Sequence, residues 1–184
     1  MNKNRNGFQV MLGLIGMIKP LLGVMCIAII MGCIGNLMAI FITILGGAAI
    51  GNLLGEVTGI SMKMIFVLLV VFAVLRGVLR YAEQASNHYI AFKLLARIRH
   101  QIFASLRKLA PAKLDGKEKG NLISIITSDI ELLEVFYAHT ISPIAIAAIT
   151  SLVMVAFIGQ FHVGLGVLAA VFYLLVGLAV PVVN

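Results

Sequence analysis

Residues 76–134, RGVLRYAEQASNHYIAFKLLARIRHQIFASLRKLAPAKLDGKEKGNLISIITSDIELLE, hold most of the charge in this chain and decide how it folds. On either side the chain reads as membrane. Residues 20–55 contain no Asp, Glu, Lys or Arg, and neither do residues 135–184. A charged insert of roughly sixty residues is not an ordinary loop, because loops that long without internal structure are uncommon. Its helical periodicity predicts two membrane helices that continue beyond the bilayer into water.

Composition agrees. The chain is 61% hydrophobic and 11% charged, with a mean hydropathy of +1.10. Apolar runs beyond about 18 residues argue transmembrane helices. The net charge of +7 does not point to nucleic acid, since there is no Trp and no nucleic-acid motif. The basic residues fit the excess of Lys and Arg on the cytoplasmic side of membrane proteins. Cys26 and Cys33, seven apart in the first apolar run, match neither a CxxC pair nor a zinc site. They read as small buried thiols facing lipid or a neighbouring helix. Lys3 and Arg5 before an apolar stretch look like a signal peptide, but the stretch is too long and lacks a small-residue cleavage site. A retained first span is expected.

The fold class expected is therefore an all-α membrane protein with about four transmembrane helices, two of them extended into the cytoplasm as a hairpin. Residues 1–19 form an N-terminal segment whose glycine-spaced apolar residues, 7–18, suit a short interfacial helix. Spans are expected at about 21–50, 61–110, 121–158 and 164–184. Gly47, Gly51, Gly55 and Gly59 recur every four residues. If helical they form a close-packing stripe; otherwise Gly55 and Gly59 mark a turn around Glu56. The second helix meets no breaker between Ser61 and Pro111. About fifty residues at about 1.5 Å each make about 75 Å, against about 30 Å of hydrocarbon. Half of it must project into water. Pro143 predicts a kink in the third span, and residues 159–162 a short external turn. The N-terminus and the basic residues from Lys93 to Lys119 fall on the cytoplasmic side; Glu56, Lys63 and His162 fall outside.

Arg76, Arg80, Glu83, Gln84, Asn87 and His88 project over one face of the second helix. Charged groups at membrane depth are costly and usually face a bundle interior or a water-filled cavity. One reading makes this stripe the lining of a substrate pathway, favouring an anionic solute because two arginines face one glutamate. The other has Arg76 and Arg80 reaching to headgroups while Glu83 pairs with Arg80. His88 is a hydrogen-bonded bystander, a proton-sensitive group or an axial ligand to a haem-like guest. His139 and His162 lack partners in the sequence. No HExxH, GxSxG, EF-hand or metal-ligand spacing is present, so there is no catalytic residue and no metal site to name.

The hairpin resembles the first intracellular loop of ATP-binding-cassette exporters. The residues that carry the likeness are Arg99, Phe103, Leu106, Leu109 and Pro111, then Gly120, Asn121, Leu122 and Ile123, then Ser128, Asp129 and Leu132. Arg80, Tyr81, Glu83, His88, Phe92, Pro111, Ala112, Tyr137, Ile141, Ser142 and Pro143 look like one branch of that superfamily. It is the C-type half of the thiol-reductant exporter of cytochrome bd assembly, linked to cysteine, glutathione and haem. The resemblance implies that Ala112, Lys113, Leu114, Asp115, Gly116, Lys117, Glu118 and Lys119 form a coupling helix that docks on a nucleotide-binding domain. It also implies a second half-transporter as partner, giving a heterodimer in a bacterial-type plasma membrane, and ATP with Mg bound outside these residues.

Intact members of that family have six membrane helices followed by an ATPase domain. The 184 residues read as an N-terminal part of that plan, residues 20–184 being a partial transmembrane domain. No GxxxxGK[ST] phosphate loop occurs in them, so no ATPase activity is expected of this segment. A rival reading is a membrane sensor or assembly factor that relays a signal through long helices. It finds a packed seam at Phe92, Leu95, Ile98, Ile102 and Leu106. An exporter of a lipid, peptide or drug would share the fold.

Overall fold

The computed structural model describes residues 16, 19–56, 59–109 and 130–183. Among them there is no strand. A 3-10 turn, Lys19–Leu21, leads into α1, Leu22–Leu53, and α2 follows as Met62–Leu109. Then come α3, Ile130–Phe136, a π-helical segment, Tyr137–Ile141, α4, Ser142–Gly159, and α5, Val163–Val183. Among the described residues four helices are long and apolar enough to cross a membrane. Two sequence expectations, the interfacial helix at 7–18 and the coupling segment at 112–119, lie outside the described residues, as does the start of the third helix before Ile130.

Local chemistry explains the helix ends. The α1 helix closes in a Schellman motif: the Glu56 N–H donates to the Gly51 carbonyl at 3.0 Å and the Gly55 N–H to that of Asn52 at 3.3 Å. Gly55 takes φ 91° and Gly59 φ 74°, a backbone that only glycine adopts freely. These two glycines therefore belong to the turn and not to a helical stripe. Asn52 Nδ2 donates across the turn to the Ile60 carbonyl at 2.8 Å. Ser61 then caps α2, its Oγ accepting from the Met64 N–H at 3.3 Å. With no Gly-Pro breaker after it, α2 continues for 48 residues.

Contacts group the chain into two compact units, each described separately. The first comprises Met1–Ile29 and Tyr81–Ser142. Its core is Ile90, Ala91 and Leu94 of α2 with Ala138 of the π segment, flanked by Leu21, Val24, Met25, Leu133, Phe136 and Ile141. The second comprises Ile30–Arg80 and Pro143–Asn184. There Phe41 meets Phe157 edge-on at 5.6 Å, and Phe157 meets Phe161 at 5.4 Å. Its turn at 159–162 is tight: the Gly164 N–H donates to His162 Nδ1 at 3.1 Å, so the histidine caps α5. A Cβ on Gly166 would stand 2.8 Å from the Gly159 Cα, which is why no side chain fits there. The outer faces of α2, α4 and α5 remain apolar and exposed, as lipid or neighbouring helices require.

Candidate functional site

The polar stripe on α2 divides. Arg76 and Arg80, in the second unit, are exposed. Glu83 and Asn87, in the first unit, are buried at 0% and 1% exposure, while Gln84 and His88 are half-buried. Along the stripe expected to line a pathway, the arginines are thus exposed and Glu83 with Asn87 is enclosed. The division follows from the α2 packing face, which runs Glu83, Asn87, Ile90, Ala91, Leu94 and Leu95 in steps of three and four. A charge costs little on that face only if bonded. Asn87 Nδ2 donates to Glu83 Oε1 at 3.2 Å, one helical turn away.

His88 stands beside this pair and draws in groups from elsewhere. Its Nδ1 is buried and lies 3.5 Å from Glu134 Oε1, at the limit of hydrogen-bonding distance and outside good bonding geometry. The contact is one of polar groups held close by packing. The His88 ring stacks on Phe92 with centroids 5.9 Å apart, and meets the His139 ring edge-on at 5.6 Å. Farther along the arm, Arg99 pairs with Glu131 at 3.6 Å, both side chains well exposed. Sequence reasoning passed over Glu134 and His139 as site residues. The available signal was that Glu131 and Glu134 are the last charges before a fully apolar span, spaced three apart so that both face one neighbour.

Among the described residues no three of His, Cys, Asp and Glu gather to hold a metal ion. Cys26 and Cys33 are free thiols, Cys26 exposed on the apolar α1 and Cys33 half-buried. The seam expected of a signalling arm is also altered. Leu95 is buried and Ile98, Ile102 and Leu106 half-buried, but Phe92 is exposed. The hairpin segment at 112–119, expected to carry coupling, lies outside the described residues.

Residues 25–184 match the family model described as the ABC transporter transmembrane region. A probable ABC transporter ATP-binding/permease protein of Haemophilus influenzae is 49% identical over 180 residues, covering 98% of this chain and 33% of that protein. The glutathione/L-cysteine transport system ATP-binding/permease protein CydC of the same organism is 29% identical over 82 residues, 45% of this chain and 14% of its own length. Its CydD counterpart from Bacillus subtilis is 27% identical over 113 residues, 61% of this chain and 20% of that protein. The chain thus spans a third or less of the relatives it matches.

Proposed function

Because the chain belongs to the ABC transporter transmembrane region family, we propose that it forms part of the membrane pathway of an ATP-driven exporter for a small thiol or related anionic compound. The observation that carries the exporter reading is the family match across residues 25–184, on a chain with four candidate spans and a 48-residue helix. The thiol reading leans on the glutathione/L-cysteine systems among the relatives and on two exposed cations, Arg76 and Arg80, on a helix otherwise apolar at that depth. ATP is hydrolysed with Mg on a nucleotide-binding domain outside these residues. A second half-transporter completes the pathway, since four spans cannot enclose one. The N-terminus and the arm of α2 lie in the cytoplasm of a bacterial-type cell, and segment 112–119 receives the stroke. Alternating access then follows from tilting α2 and the helix after it together.

A haem-like guest is the second cargo class, favoured by one observation. His88 offers an imidazole whose Nδ1 lies 3.5 Å from the Glu134 carboxylate, close enough that a small shift would form the hydrogen bond that commonly orients a histidine toward an iron. Uptake of labelled cysteine, glutathione and haem into inverted membrane vesicles bearing the intact protein and its partner separates these readings. Arg80→Ala should cut ATP-dependent thiol uptake at least about tenfold, and Arg80→Lys should restore part of it. Unchanged uptake by a normally inserted Arg80→Ala protein removes the arginines from the pathway.

A further inference from the structure

His88 touches two side chains, Glu134 and His139, that lie five residues apart. On an uninterrupted α-helix such residues stand about 140° apart around the axis, five steps of about 100°. That is too far round for both to reach one imidazole comfortably. The intervening turn is not α-helical: Tyr137–Ile141 is a π segment. Its bonds close at i→i+5, which draws residues five apart toward one side. The wide turn is what lets Glu134 and His139 share His88.

Two neighbours mark that turn as bistable. Pro143 has no N–H to give the His139 carbonyl four residues back, and its ring crowds that carbonyl, so the α form is weakened there. Ser142 is 1% exposed, yet its Oγ has no hydrogen-bond partner. Serines in the regular α2 helix behave otherwise: Ser86 Oγ donates to the Ala82 carbonyl at 2.8 Å, and Ser105 Oγ to that of Gln101 at 2.9 Å. In an α register the Ser142 hydroxyl has the corresponding acceptor, the Ala138 carbonyl. Thr150 in α4 is unpartnered as well, so an orphan hydroxyl alone says little. Its place against the wide turn gives Ser142 its meaning. Each register satisfies something the other does not.

We propose that Tyr137–Ile141 is a register switch. In its π form it presents Glu134 and His139 to His88 together. In its α form α3 turns by about 100°, one residue's worth, and Glu134 leaves His88. Glu131, three residues earlier, leaves Arg99 in the same movement. The two polar contacts between α2 and α3 are thereby made or broken by one turn of backbone. The inference needs no assumption about cargo.

The test uses the intact protein in membranes, with Cys26 and Cys33 replaced by Ser. Two cysteine pairs, His88→Cys with Glu134→Cys and His88→Cys with His139→Cys, are treated with a short bis-maleimide. Both pairs should link in the otherwise native backbone. Adding Pro143→Ala, which returns an N–H to the helix, should lower the 88–134 yield about fivefold and spare 88–139. Deleting Thr140 from the Pro143→Ala protein shortens the turn to α without turning α3 and should restore the 88–134 link. Pro143→Ala decides alone if the deletion does not insert. Equal 88–134 yields with and without Pro143→Ala overturn the switch. So does a parallel fall of both pairs, which means that the helices part without turning.

Discussion

Glu83 is a charge-bearing side chain with no exposure, and Asn87 donates to it from one turn farther along α2. Removing the acceptor strands a buried amide. Glu83→Ala should lower stability by roughly 1–3 kcal/mol, and Glu83→Gln, which keeps an oxygen, by less. Thermal unfolding in detergent measures both, and an unaltered midpoint for Glu83→Ala contradicts the assignment. A second contrast tests the external turn. A methyl on Gly166 meets the Gly159 backbone at 2.8 Å, whereas one on Gly159 meets the Gly166 backbone at an ordinary 3.9 Å. Gly166→Ala should cost about 1–3 kcal/mol by overpacking, and Gly159→Ala far less. Similar losses for the two would show that the turn does not depend on this approach.

At the level of helices, packing outweighs charge. Arg99 and Glu131 are 3.6 Å apart, but their side chains are 41% and 65% exposed, so the pair contributes at most about 1 kcal/mol. Leu94, 1% exposed in the cluster with Ala138, is the stronger tie between α2 and the segment after α3. Leu94→Ala should destabilise by roughly 2–5 kcal/mol and Arg99→Ala hardly at all, a difference that denaturant titration in mild detergent resolves. Sequence sufficed for the extent of α2, because Ser61 caps it and nothing before Pro111 breaks it. It foresaw a disturbance at Pro143 but not its form. A proline states that one hydrogen bond is missing, while the choice between a bend and a wider turn depends on what packs alongside. The division of the α2 stripe was hidden for the same reason. Periodicity placed Arg80 and Glu83 on one face, and only the neighbours of that face decide which is enclosed.

At the scale of the molecule, hydropathy was enough to find the four candidate membrane helices among the described residues. Family membership was legible from the arm and its flanking residues, since a membrane protein that sends helices deep into water has few uses for them. The cargo was not legible, because hydropathy and periodicity report which faces are apolar and not what a cavity binds. Alternation of the spans makes a direct prediction. In a protein lacking Cys26 and Cys33, Glu56→Cys and Phe161→Cys should react with an impermeant maleimide from outside intact cells. Lys108→Cys should react only after the membrane is opened. Labelling of Lys108→Cys from outside, or of only one of the two turns, would invert or break the topology.

The wide turn before Pro143 also bears on how such chains diverge. It accommodates one amino acid more than a regular coil of the same height. Loss of a single codon there closes the coil to its ordinary width and leaves the side chains on both flanks at their bearings. Glutamates at 131 and 134 would then keep the neighbours they have. The same loss in a regular stretch of that helix would swing them round, so the wide turn is where two genes could differ by one triplet and still hold the same things together at its far end.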